Sequence, residues 1–165
     1  MNSQLRMRLD RFTEVLATLS GLLFTAVFVL TMINIVSRNL GGVAYRWIPG
    51  SIRLSFIWSV LVAAAVLYRR ADHLTVDYVL SKVSERIATR MRTTIHLITL
   101  PFFALLIVNG LRITQVRMRI SYETWDFPTG YAYLALPVCA AIMLVFNLEY
   151  LFGTQLYRTG ETNDD

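Results

Sequence analysis

Four apolar runs, each near the length of a membrane crossing, constrain this chain more than any other feature. They cover residues about 15–36, 52–68, 93–111 and 131–152. A helical crossing takes about 20 residues. Four of them use roughly half of the 165 residues and leave only short pieces between. No remaining piece is long enough to bury a core of its own. Charged residues make up 16% of the chain, against about 25% in an average soluble domain. With 55% hydrophobic residues, the chain lacks the polar shell of a soluble enzyme. The expected fold class is all-α: a polytopic membrane protein with four transmembrane helices in one membrane domain, 1–165.

The pieces between the runs refine this picture. Arg6, Arg8 and Arg11 precede the first run. That run is longer than the roughly 7–15 apolar residues of a cleavable signal, and no A-x-A pattern closes it. It is expected to be a retained first span. Within it Ala17, Gly21 and Thr25 fall four apart, a small-residue face that lets another helix approach closely. Gly41-Gly42 and Pro49-Gly50 are turn signals, and Tyr45 and Trp47 suit the membrane interface. Residues about 75–92 carry Val76, Val79, Leu80, Val83, Ile87 and Met91 at steps of three and four, with charges between. That pattern predicts an amphipathic helix, lying on the cytoplasmic-side surface or extending the start of span three.

Charge gives an orientation. The net charge is +5, and fifteen of the sixteen bases are arginine. If loops alternate between two sides, ten bases fall with the termini and the span two–three connection. Six fall on the other side: Arg38, Arg46, Arg53, Arg112, Arg117 and Arg119. The bias places both termini in the cytoplasm. No basic stripe with interleaved stacking aromatics occurs outside the apolar runs, so nucleic acid is not an expected partner.

Little points to catalysis. There is no phosphate-binding Gly-rich loop, no H-E-x-x-H and no nucleophile elbow. The lone Cys139 forms no intrachain disulfide and packs as a small apolar residue. No catalytic, cofactor-binding or metal-ligating residue is expected. His73 and His96 are the only pair that a haem-anchor or redox subunit would use, and no other residue marks such a site. Two ionisable residues stand at the edges of spans. Arg53 either snorkels outward or meets Glu123 or Asp126, and Glu149 meets Arg69, Arg70 or Arg11. A stand-alone channel or carrier usually shows more intramembrane charge or broken helices in paired halves.

Around span two the residues become specific. Trp47, Arg53, Trp58, Ala63-Ala64-Ala65, Arg69-Arg70, His73 and Val76-Asp77 stand in order. Later come Gly110, Phe127-Pro128-Thr129-Gly130-Tyr131-Ala132-Tyr133 and Pro137. This resembles the small membrane subunit of tripartite ATP-independent periplasmic (TRAP) transporters, the DctQ-like family. The chain departs from that pattern at Pro49 and Gly50, where the family usually places an acidic pair. It departs again at Ser81-Lys82-Val83-Ser84, where a proline is often found.

The resemblance implies a multi-pass protein of the bacterial inner membrane that catalyses no reaction. It implies a scaffold for a large membrane subunit that carries the substrate and sodium sites. It also implies a periplasmic substrate-binding protein that delivers the solute, commonly a carboxylate. The lipid bilayer is the remaining partner. Interface candidates are Gly21, Arg53, Trp58, His73 and Asp77, with Trp125 and Asp126 in the outer loops.

Overall fold

The apolar runs fold into helices longer than the crossings they contain. The computed structural model describes residues 3–80, 85–122 and 125–161, with side chains described over most of 7–70 and 90–149. The elements are α1 (Ser3–Asn39), α2 (Ile48–Leu80), α3 (Glu85–Arg117), β1 (Ser121–Tyr122), β2 (Trp125–Pro128), α4 (Gly130–Tyr133) and α5 (Ala135–Glu161). Among the described residues four stretches are long and apolar enough to cross a membrane: Met7–Asn39, Ile48–Arg70, Thr93–Arg117 and Gly130–Glu149. The protein is therefore an all-α, multi-pass membrane protein, with one small antiparallel β-ribbon among the described residues.

The element ends follow from local chemistry. Gly42 sits at φ 61° after α1, a left-handed position that a residue without a Cβ adopts freely. Pro49 does not delay α2, which starts at Ile48. In the first turn of a helix the missing proline N–H has no intrahelical acceptor to lose, and its fixed φ suits the helix. Span two is thus longer than the 52–68 read from hydropathy. The segment 75–92 is shared between two elements: residues 75–80 continue α2 and residues 85–92 open α3. The positions between, 81–84, lie outside the described residues.

The long helices pack in a row. α1 lies on α2, α2 on α5, and α5 on α3. On α1 the less exposed side chains centre on Thr13, Leu16, Ser20, Leu23, Val27, Leu30, Asn34 and Ser37, at alternating steps of three and four, with Leu9, Ala17, Ala26 and Thr31 half-buried beside them. That narrow stripe is the seam of two helices crossing at a shallow angle. Nearly everything else on α1 is exposed, including Phe24, Phe28, Met32 and Ile35. The core lies where α1, α2 and α5 meet: Leu16, Val62, Val66 and Cys139, flanked by Ala17, Trp58, Leu61 and Ile142.

The serine and threonine hydroxyls of the first span are satisfied inside their own helix. Thr18, Thr25 and Thr31 each donate to the carbonyl four residues back, at 3.0, 2.9 and 2.7 Å. Such groups enter lipid without another partner, so the polar residues of α1 do not argue against a crossing. α3 and α5 also approach closely at Gly110. A Cβ added there would stand 2.9 Å from Pro137 Cδ.

Candidate partner interface and its supporting nodes

The terminal end of the bundle is held by Arg69. Its Nη1 donates to Glu149 Oε2 at 2.8 Å, and its Nη2 donates to Asp10 Oδ1 at 2.8 Å. The guanidinium carbon stands 4.8 Å from the centre of the Phe146 ring. One planar fork therefore joins α1, α2 and α5, using geometry that lysine could not supply. The Arg69 and Glu149 side chains are only 11% and 14% exposed, whereas Asp10 is 65% exposed. Of the three partners open to Glu149 in the sequence, the fold selects Arg69. Asp10 escaped sequence reasoning because it precedes the first apolar run. Its one signal is that it stands as an acid among Arg6, Arg8 and Arg11.

The opposite, hairpin end is built on tyrosines. β1 and β2 pair antiparallel, with Tyr122 opposite Trp125. The Thr129 hydroxyl donates to the Arg117 and Ile120 carbonyls, at 3.1 and 2.9 Å. Gly130 then passes against Met118, where a Cβ would fall 2.8 Å from the Met118 nitrogen. The Phe127-to-Tyr133 motif thus folds the end of α3 back onto α4. Arg53 Nη2 donates to the Tyr133 hydroxyl at 3.4 Å and stands 6.0 Å from the Tyr122 ring centre. Arg117 lies 5.2 Å from the Tyr133 ring centre. Burial raises the pKa of the Tyr122 phenol above its ordinary value; the Arg53 charge works against this and Tyr133 adds to it. The side chains of Glu123 and Asp126, the expected partners of Arg53, lie outside the described residues.

The candidates do not converge on one spot. Trp58 is half-buried beside the core, and its Nε1 donates to the Tyr131 carbonyl at 3.0 Å. Gly21 is exposed, and a Cβ there would meet nothing within 4 Å. Of the small face, Gly21 and Thr25 therefore lie beside the α1–α2 seam rather than in it, while Ala17 is half-buried against the core. His73 and Asp77 belong to α2, and Trp125 and Asp126 to β2, by their backbones; their side chains lie outside the described residues. So the haem-ligand pair is described only at His96, which is buried on α3.

Sequence reasoning missed a buried polar contact. Asn147 is fully buried on α5 and donates its Nδ2 to Thr99 Oγ1 of α3 at 2.6 Å. Asn147 is the one amide in the first half of α5, a signal that could have marked it.

Comparison with known proteins agrees with this architecture. The chain is 24% identical over 134 residues to the sialic acid TRAP transporter permease protein SiaT of Haemophilus influenzae (strain 86-028NP). The alignment takes in 76% of this chain and 20% of that permease, so the chain spans about a fifth of the length of this curated relative. Residues 27–155 match the family of tripartite ATP-independent periplasmic transporters, DctQ component. That match takes in about the last third of α1, all of α2 to α4 and most of α5. The chain belongs to the DctQ component family of TRAP transporters.

Proposed function

We propose that this chain is the small scaffold subunit of a TRAP secondary transporter. It braces a large membrane subunit within the bacterial inner membrane. A soluble periplasmic protein delivers a carboxylate-type solute, and a sodium gradient drives uptake through the large subunit. Both termini lie in the cytoplasm, in line with the ten-to-six distribution of bases. The chain catalyses no reaction, and its 165 residues act as one membrane domain.

One observation carries this proposal. The Arg69–Glu149 charges at the terminal end are spent on holding the helices together, while the apolar surface is left uncovered. Arg69 engages Glu149 and Asp10 within the chain. A carrier would instead aim such groups into a solute path. Meanwhile no residue in the most apolar stretch of α1 is buried by the rest of the chain. The length of SiaT beyond its matched fifth leaves ample protein for a solute path elsewhere. The name of SiaT, a sialic acid permease, supports a carboxylate-type solute for this family member too.

Co-expression tests the proposal. The chain carrying an affinity tag should co-purify with the large TRAP membrane subunit in mild detergent, in fixed stoichiometry. Recovery of the chain alone, with the large subunit present in the same membranes, would contradict it.

A further inference from the structure

α2 lies between α1 and α5, and among its described side chains beyond the first turn, 51–70, only a narrow stripe is exposed. The stripe is Arg53, Phe56, Val60, Ala63, Leu67 and Arg70, again at alternating steps of three and four. Its two ends are arginines and everything between them is apolar. Seventeen residues of helix separate those ends, about 25 Å at 1.5 Å per residue. The hydrocarbon core of a bilayer is about 30 Å thick. The two guanidinium groups thus bracket the apolar slab, with Arg53 at headgroup depth of one leaflet. The exposed Tyr45 and Trp47 of the same end are side chains typical of that depth.

At that depth Arg53 is only lightly engaged. Its hydrogen bond goes to the Tyr133 hydroxyl at 3.4 Å, and it makes no ion pair with a described side chain. A guanidinium carries five N–H donors, and the described side chains use few of them. Arg117 approaches the same tyrosine ring and is likewise without an ion pair among the described residues. Two cations therefore flank one phenol, and the Tyr133 hydroxyl can donate to an oxygen placed beside Arg53. The occupant that suits this surface has an anionic head at the level of Arg53 and an apolar body continuous with it.

We propose that the α2 stripe binds an anionic phospholipid. Its phosphate sits at Arg53, with Arg117 and the Tyr133 hydroxyl alongside, and an acyl chain lies over Phe56, Val60 and Ala63. A free phosphate would use the head of this site and leave the stripe uncovered. A zwitterionic lipid would bring its own ammonium against two arginines.

The full chain, purified and delipidated in mild detergent, tests this by native mass spectrometry. Phosphatidylglycerol, phosphatidylethanolamine and glycerol 3-phosphate are added in turn. Phosphatidylglycerol should be retained about tenfold more tightly than phosphatidylethanolamine, and glycerol 3-phosphate should not be retained. Arg53→Gln should weaken phosphatidylglycerol about tenfold, or about 1.4 kcal/mol. Tyr133→Phe should weaken it less, and Arg112→Gln should leave it unchanged. Circular dichroism should show the same helicity in all variants.

Equal retention by Arg53→Gln, or an equal loss in Arg112→Gln, would overturn the proposal in favour of diffuse charge. Comparable binding of glycerol 3-phosphate would reduce the site to an anion site. Displacement of the lipid when the large subunit binds would assign the stripe to a partner helix and would also overturn it.

Discussion

Glu149→Gln separates the two halves of the Arg69 node. Glutamine keeps the shape of the side chain and an oxygen for Arg69 Nη1, so the change removes the charge alone. Arg69 and Glu149 are 11% and 14% exposed, so their attraction is poorly screened. Breaking a buried ion pair by removing one partner costs about 3–5 kcal/mol in soluble proteins. Two features bring the figure down here. Asp10 remains on the other edge of the Arg69 fork, and helices separated within a membrane find other polar partners. The expected cost is about 2 kcal/mol.

Asp10→Asn removes the exposed arm of the node. At 65% exposure its pair is worth less than about 1 kcal/mol. The assay is reversible unfolding of each variant in mixed micelles, followed by far-ultraviolet circular dichroism and by limited proteolysis. Glu149→Gln should shift the transition clearly and Asp10→Asn barely. Equal costs for the two variants, or a negligible cost for Glu149→Gln, would refute the idea that burial sets the strength of this node.

Gly110→Ala should destabilise the chain by about 1–3 kcal/mol in the same assay. The new methyl would fall 2.9 Å from Pro137 Cδ, and a proline ring has little freedom to move away; wild-type stability would contradict the close α3–α5 approach. Gly21→Leu should leave stability unchanged, because a Cβ there meets nothing within 4 Å. It should nevertheless lower recovery of the large subunit in co-purification, and unaltered recovery would remove Gly21 from the interface. Trp58→Phe removes the bond to the Tyr131 carbonyl and should cost about 1 kcal/mol. A rise in stability would show that this bond does not hold α4 against α2.

The helices were legible in the sequence because span length and hydropathy are one-dimensional properties. All four crossings lie where the apolar runs stand, and their ends differ for identifiable reasons. Pro49 reads as a turn signal yet fits the first turn of α2, so hydropathy alone placed that start too late. The pairing of Glu149 was narrowed to three arginines by side and depth; choosing Arg69 required the α2–α5 contact. Asp10 and Thr99 were invisible because each is an ordinary polar residue until another helix arrives. The residue at Gly21 is small, yet the chain half-covers the neighbouring stripe through Ser20 and Leu23 instead. Which face a membrane helix buries depends on its neighbours, and apolar residues all around α1 give no preference.

Transport by the isolated chain bears most directly on the central claim that these helices brace another protein. The purified chain is reconstituted into sealed vesicles under an inward sodium gradient with a radiolabelled carboxylate such as sialic acid outside. The chain alone should take up no more label than empty vesicles, and uptake should appear only when the large membrane subunit and the binding protein are added. Gradient-dependent uptake by this chain alone would contradict the account.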